Sequence, residues 1–197
     1  MPDAICLASG GLDSTLCLHL LKQEGLQVIP LFIDYGQLNS EREFGALKRN
    51  CTRHEFAPPI VCKIPGFGEL IKSGLTDANK HIKEDAFTPN RNLLFLVMAA
   101  SVAFSKGTQN LVMGLLSEKS AIFPDQTDEF LNIAQAAISS SLGITMRIHC
   151  PLRDFTKMEV VKLATSRGIA EYYSCHAGTP EPCGGCIACL EYSTSGD

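Results

Sequence analysis

The chain has 197 residues, of which 45% are hydrophobic and 19% charged, and its formal net charge is −4. That length and apolar content suit one domain, or one domain with a small appendage, and exclude a disordered chain. The acidic balance disfavours a long nucleic-acid footprint, and no stretch approaches the ~20 apolar residues that a membrane helix needs. The N-terminus has neither a basic n-region nor a cleavage-like site, and nine cysteines without a secretion signal suit a reducing compartment. The expected location is the cytoplasm.

Ala4–Ala8 is a short apolar run that predicts a buried strand. Asp13 to Gln23 carries Leu16, Cys17, Leu20 and Leu21 at helical spacing, with Gly25 as its stop. Val28–Ile33 predicts a second strand, blemished by Pro30. A turn at 34–37 leads to a helix from Ser40 to His54, with Ser40 as cap and Glu43 at the capping-box position. Ile60–Ile64 predicts a third strand. Gly66 to Asn90 is irregular, and loops that long are often lids or binding loops. Arg91 to Lys106 predicts an apolar helix closed by Gly107. Asn110–Met113 predicts a fourth strand, ending at Gly114. A helix over 127–142, a fifth strand over 145–150 and a last helix over 156–167 follow, the last with Thr156 as cap and Glu159 completing a capping box. Five alternations of strand and helix predict an α/β fold, a Rossmann-like parallel sheet flanked by helices. After Ala170 the pattern dissolves into Gly, Pro and Cys. The expected division is therefore 1–170 as the main domain and 171–197 as a tail that needs another source of stability.

The run Ser9-Gly10-Gly11-Leu12-Asp13-Ser14-Thr15 joins the first strand to the first helix. In an open parallel sheet, ligands bind at the carboxyl ends of the strands. Glycines allow close backbone approach, the helix N-terminus offers N–H groups, and the hydroxyls of Ser9, Ser14 and Thr15 add donors. Such a loop is an anion cradle. The plain alternative is a tight turn with Asp13 as an ordinary cap. The loop matches neither GxxxxGK[ST] nor GxGxxG.

Cys175, Cys183, Cys186 and Cys189 are spaced C-x7-C-x2-C-x2-C, a strong four-thiolate signal. Gly184 and Gly185 permit the tight knuckle. Tetrahedral zinc held this way is structural and would stabilise the tail. An iron–sulfur cluster suits the same ligands, and His176 could replace one cysteine. Cys6, Cys17, Cys51, Cys62 and Cys150 read as packing residues.

SGGLDST after a first strand resembles the pyrophosphate loop of the PP-loop (N-type) ATP pyrophosphatases. Within them, further segments resemble the 7-cyano-7-deazaguanine synthase (QueC) family. FIDYGQ (32–37), TPNRNLLFL (88–96), MGLLSEKSAIFPDQTDEF (113–130), PLRDFTKMEVVKLA (151–164) and the terminal cysteine motif all fall in the family's order. The resemblance implies ATP cleaved between its α and β phosphates, with adenylation of a deazaguanine carboxylate. An amine, either ammonia or a protein amine, then takes the acyl group. It implies magnesium on the triphosphate, zinc in the tail and a homodimer. It places phosphate contacts on Ser9, Gly10, Gly11, Leu12, Asp13, Ser14 and Thr15. The adenosine side falls to Asp34, Tyr35 and Gly114. Arg91 is expected on phosphate or carboxylate. Lys157, a cation in the first turn of a helix, opposes the helix dipole, which suggests a pyrophosphate partner. Asp125 is expected to orient the deazaguanine amino edge or a metal, although Pro-Asp is also common turn chemistry.

The chain departs from the family pattern in three places. Leu38-Asn39 stands for Arg-His, Asn90 for the glycine of Pro-Gly-Arg-Asn, and Gln126-Thr127 for Cys-Arg. The altered segments are expected near the acceptor pocket. They motivate a variant that passes the activated deazaguanine to a protein N-terminus, as QueC-like proteins in antiviral defence do. Two rivals are a tRNA-modifying sulfur-transfer enzyme on the same fold, which needs a reactive cysteine in the cleft, and a zinc-bearing nucleotide sensor.

Overall fold

The computed structural model describes residues 1–193; residues 194–197 of the predicted tail lie outside the described residues. Five parallel strands, β1 (Ala4–Leu7), β2 (Val28–Asp34), β3 (Ile60–Lys63), β4 (Asn110–Val112) and β5 (Arg147–His149), form one sheet. Their order is β3-β2-β1-β4-β5. The chain walks outward from β1 to β3, then crosses to β4, so the carboxyl ends of β1 and β4 flank the switch point where such sheets bind ligands.

Among the described residues, seven α-helices connect or cover the strands: α1 (Leu12–Gln23), α2 (Ser40–Arg53), α3 (Pro65–Leu70), α4 (Arg91–Lys106), α5 (Asp128–Leu142), α6 (Lys157–Ser166) and α7 (Ile187–Ser193). Side chains of a strand alternate between faces, and β1 divides the core accordingly. Ala4 and Cys6 pack with Leu16 of α1, Leu47 of α2 and Val160 of α6. Ile5 and Leu7 pack with Leu96 of α4 and Ile138 of α5. Among the described residues, no helix is long and apolar enough to cross a membrane.

Pro30 sits in an interior strand without breaking it. It pairs with Cys6 of β1, while pairing with β3 begins only at Leu31, so its missing N–H removes no ladder bond on that side. Helix α6 has the capping box that its sequence predicts, and α7 follows it inside the tail, where the sequence pattern predicts no helix. Thr156 N–H donates to Glu159 Oε2 at 2.7 Å, and Glu159 N–H donates back to Thr156 Oγ1 at 3.4 Å. The box predicted at Ser40 does not form. Asn39 precedes α2 and no side chain caps it, because Glu43 turns its carboxylate to Gln37 instead. The 127–142 helix begins at Asp128, with Thr127 as its cap. The long 66–90 segment starts with α3 and then runs through turns held by Ser73, Thr76 and Thr88; the Ser73 and Thr88 hydroxyls lie 2.7 Å apart. The five non-tail cysteines are buried or half-buried, as packing residues are. Burial pushes the Cys6 thiol up to about 12 and the Cys51 and Cys150 thiols up to about 11, so they stay protonated.

Candidate active site

A cleft of about 520 Å3 opens at the carboxyl ends of β1, β2 and β4. That volume is in the range of small-molecule sites. Its floor is Leu7, Leu31, Ile33 and Met113. The 9–14 loop forms one wall, α4 enters with Arg91 and Asn92, and the 115–126 segment and the tail complete the rim.

The loop is braced by its own hydroxyls. Gly11 N–H donates to Ser9 Oγ at 3.1 Å, Ser9 N–H to Ser14 Oγ at 3.2 Å, and Ser14 Oγ donates to Gly11 O at 3.2 Å. Gly11 precedes α1 and no side chain caps that helix. The first N–H groups of α1 therefore face the cleft wall without a built-in acceptor, which is the requirement for an anion site. One glycine is sterically necessary here and a second sits in a tight contact. Gly10 has φ +88°, and a Cβ on it would lie 2.3 Å from Glu43 O. A Cβ on Gly114 would press on the Asp13–Ser14 backbone at 3.3 Å. The end of β4 thus closes directly against the start of α1.

Lys157, the first residue of α6, reaches into this wall. Its Nζ donates to Asp13 Oδ1 at 2.9 Å and Oδ2 at 3.0 Å, lies 3.3 Å from Glu191 Oε2 and sits 4.9 Å from the Tyr192 ring centre. Burial disfavours its charge, but Asp13, then Tyr192 and Glu191, outweigh burial and hold the ammonium above the ordinary lysine range.

Arg91 lines the cleft beside Tyr35 and Phe95, and its buried Nε has no partner in the structure. Tyr35 is buried; desolvation raises its phenol while Arg91 pulls the other way. Glu43 also lines the cleft, and burial raises its carboxyl to about 7 against the pull of Gln37, Arg91 and Asn39. His176 lies there too. Burial, then Arg91 and Lys157, lower its imidazole to about 4, and its Nδ1 is buried without a partner.

The predicted site residues thus divide. Ser9, Gly11, Leu12, Asp13, Ser14, Tyr35, Arg91, Gly114 and Lys157 meet around one cleft. Gly10 and Thr15 lie behind the loop, Thr15 fully buried. Asp34 stays outside the cleft and accepts from Gly36 N–H at 3.3 Å, as a turn residue does. Asp125 also stays outside. Its carbonyl accepts from Asn92 Nδ2 at 3.1 Å, and one carboxylate oxygen is buried without a partner.

The Sγ atoms of Cys175, Cys183, Cys186 and Cys189 all lie within 4.8 Å of one another. A tetrahedral zinc with Zn–S near 2.3 Å sets its sulfurs about 3.8 Å apart, so a small closure completes the site. N–H groups already point at the sulfurs: Cys183 at Cys175 Sγ, Cys186 at Cys183 Sγ and Cys189 at Cys186 Sγ, each at 3.4 Å. Burial raises the Cys175 thiol, but the Cys183 N–H, the Thr179 hydroxyl and the Ala177 N–H outweigh it and bring the group to about 6. The tail then packs onto the main body. Tyr173 N–H donates to Gly10 O at 3.0 Å, Asn39 Nδ2 to Cys175 O at 3.1 Å and Arg42 Nε to Gly178 O at 2.7 Å.

A family model described as "Queuosine biosynthesis protein QueC" matches residues 3–195. The chain belongs to the QueC family. It is 31% identical to a 7-cyano-7-deazaguanine synthase of Campylobacter jejuni over 201 aligned positions, covering 95% of this chain and 90% of the relative. It is 30% identical to the synthase of Nautilia profundicola, over 96% of this chain and 90% of the relative. Among solved structures, it superposes on a 4-thiouridine synthetase–RNA complex with bound ATP (TM-score 0.59, 17% identity, 98% of this chain, 49% of that one). It also superposes on a predicted subunit of tRNA methyltransferase from Methanocaldococcus jannaschii (TM-score 0.58, 16% identity, 84% and 76%). At those identities the likeness establishes the fold alone. QueC membership makes the chain one of a family of ATP-using PP-loop synthases.

The departures from the QueC pattern have distinct places. Leu38-Asn39 lies outside the cleft, where Asn39 holds the tail. The altered Arg-His position therefore holds the tail and does not line the cleft. Asn90 keeps the left-handed backbone, with φ +60°, which asparagine tolerates better than most residues. Gln126 does line the cleft, and its Oε1 accepts from Ile122 N–H at 2.7 Å and Phe123 N–H at 3.0 Å, shaping the rim. Sequence reasoning passed over Glu43 and Glu191 as cleft residues, the first because it looked like a capping residue and the second because it stood beside cysteines that already had a role. His176, weighed there as a substitute metal ligand, lines the cleft instead, and the four cysteines cluster without it.

Proposed function

We propose that this protein is an ATP-dependent C–N ligase that adenylates the carboxylate of 7-carboxy-7-deazaguanine and carries it to the amide and nitrile. The observation that carries this reading is the meeting, in one cleft, of the uncapped α1 N-terminus, Lys157 and Arg91. A carboxylate is a poor electrophile, and AMP makes it a good one. The substrate carboxylate oxygen attacks the α-phosphorus, the α–β anhydride bond breaks, and pyrophosphate leaves. Ammonia then attacks the acyl carbon, loses a proton and expels AMP, giving the amide. The amide oxygen then attacks the α-phosphorus of a second ATP, releasing pyrophosphate and a proton, and loss of AMP with the remaining N–H proton forms the nitrile.

This chemistry needs positioning and charge neutralisation more than acid–base groups. In this reading the α1 N–H groups and the Ser9 and Ser14 hydroxyls hold the leaving phosphates. Lys157 moves from Asp13 and Glu191 onto pyrophosphate, and Arg91 takes the α-phosphate or the carboxylate. Magnesium, brought by the nucleotide, screens the triphosphate, and Asp13 has the oxygen chemistry to hold it. Residues 1–170 carry the catalysis. The zinc-bound tail serves as a cleft wall, and zinc is favoured over an iron–sulfur cluster because four thiolates close the site in a chain with no redox step. Sulfur transfer is disfavoured because no cysteine lines the cleft among the described residues.

The test is a product mass spectrum after mixing the protein with magnesium ATP, 7-carboxy-7-deazaguanine and ammonium. Nitrile with AMP and pyrophosphate supports the synthase. A halt at adenylate or amide, with deazaguanine mass appearing on a protein N-terminus, supports transfer to a protein amine. Absence of ATP turnover overturns both.

A further inference from the structure

We propose that Glu43 is the specificity-determining residue of this cleft, and that its carboxylate accepts from the N1–H and 2-amino group of the deazaguanine ring. The proposal rests on the deazaguanine reading above and names the residue that recognises the base.

The argument begins with elimination. Three carboxylates line the cleft: Asp13, Glu43 and Glu191. Asp13 and Glu191 both hold Lys157. Asp125, the residue expected for the amino edge, stays outside the cleft. Glu43 takes part in none of the ion pairs found among the described residues. A half-buried carboxylate without a salt bridge is costly; Gln37 and Asn39 donate to it and the Arg91 charge acts on it, but burial still outweighs them, so further donors would stabilise its ionised form.

Its framework is rigid. Gln37 Oε1 accepts from Tyr35 N–H at 2.9 Å, while Gln37 Nε2 donates to Ile33 O at 3.2 Å and to Glu43 Oε2 at 3.3 Å. Both ends of the amide are spoken for, so Gln37 is locked against the end of β2 and locks Glu43 in turn. From below, Gly10 leaves room for Glu43 O, which a Cβ would meet at 2.3 Å. The residue also lies in the first turn of α2, where the helix dipole favours an anion.

A carboxylate has about four acceptor positions. Gln37 and Asn39 take part of them. The pyrimidinone edge of a 7-deazaguanine offers two parallel donors, N1–H and one hydrogen of the 2-amino group, which matches what remains. Two donors also stabilise the ionised carboxyl that burial otherwise disfavours. Arg91, with an unpartnered Nε in the same cleft, is a cation for the carboxylate at the other end of the substrate. The one other pair of neighbouring donors in the reaction mixture is the ribose diol of ATP, and the experiment separates the two.

The experiment measures pyrophosphate release by wild type and Glu43→Gln with 7-carboxy-7-deazaguanine and with its 2-deamino analogue, varying each substrate and ATP in turn. Wild type is expected to prefer the 2-amino compound, since a site that binds an N–H rejects the analogue lacking it. Glu43→Gln presents an amide hydrogen to a donor edge, so KM for the 2-amino compound should rise about 10- to 100-fold. The preference over the analogue should collapse, while KM for ATP stays within about twofold. Glu43→Asp, which keeps the charge, should retain part of the preference. A rise in KM for ATP with the base preference intact assigns Glu43 to the ribose and overturns the proposal. So does an unchanged preference with unchanged KM values. A wild type with no deazaguanine-dependent pyrophosphate release overturns the functional reading itself, and this inference with it.

Discussion

Lys157→Met removes one charge and leaves two carboxylates facing each other, so the cost can be worked from the structure. The methionine keeps the stem and deletes the ammonium that now sits 2.9 and 3.0 Å from Asp13 and 3.3 Å from Glu191. At an effective dielectric near 20, one such contact is worth about 5 kcal/mol of Coulomb attraction, most of it offset by desolvation of the pair. The lysine side chain is 14% exposed, Asp13 29% and Glu191 35%, so solvent screens the acidic side more than the basic one. The net expectation is a loss of about 3 kcal/mol, at the low end for breaking a buried pair. For a chain of this size that is a fall in Tm of about 6–12 °C. Thermal and urea melts of the zinc-loaded protein without nucleotide measure it. Adding Asp13→Asn to Lys157→Met should recover about half of the loss, because the more closely held of the two carboxylates loses its charge and no longer repels Glu191. A Lys157→Met protein within about 0.5 kcal/mol of wild type refutes the reasoning, since the pair would then contribute no more than a surface contact.

Four further outcomes follow from other features. Gly10→Ala should lose about 3 kcal/mol or more by urea denaturation, because it combines a left-handed backbone with a 2.3 Å approach to Glu43 O. Gly25→Ala has φ +77° but open space around its Cβ, and should lose only about 1–2 kcal/mol. Metal analysis should find about one zinc per chain, and stripping it should expose the 171–193 segment to protease and weaken ATP binding while the sheet domain stays folded. Glu43 gives a pH dependence with a definite sign. Its carboxyl is raised from 4.5 to about 7, so between those values the folded chain keeps a proton that the unfolded chain has lost. Its contribution is intact below about pH 4.5 and declines as pH rises through 7. Urea titrations should therefore find Glu43→Gln gaining on wild type from pH 5 to pH 8, by at most about 3 kcal/mol. A constant difference across that range contradicts the shift.

Much of this protein was legible in local sequence because local rules produce it. Strand and helix alternate in the hydrophobic periodicity, glycines and prolines mark the breaks, and the Thr156–Glu159 box caps a helix with residues three apart. The turn between β1 and α1 was legible for the same reason: seven consecutive residues, small and hydroxyl-bearing, form it at a strand-to-helix junction. The cysteine tail was legible because two CxxC steps leave few other uses for four thiols. Glu43 was read by the same local rule and read wrongly. Its spacing from Ser40 suits a capping box, but Gln37, Asn39 and the cleft compete for its carboxylate and win.

The rest depended on which distant segments close on one another. The sequence alone determined the five strands, the long helices between them and the thiolate set, since each is built from neighbours in the chain; the short α3 and α7 lay in segments whose local pattern did not announce them. Only the tertiary structure decided that β1 and β4 adjoin, so that Gly114 presses on Asp13. It also decided that Lys157 spans 144 positions to Asp13, and that the tail brings His176 and Glu191 to the cleft. Those contacts follow from how two core layers bury the faces of one sheet, and burial is a property of the whole chain that no local window contains.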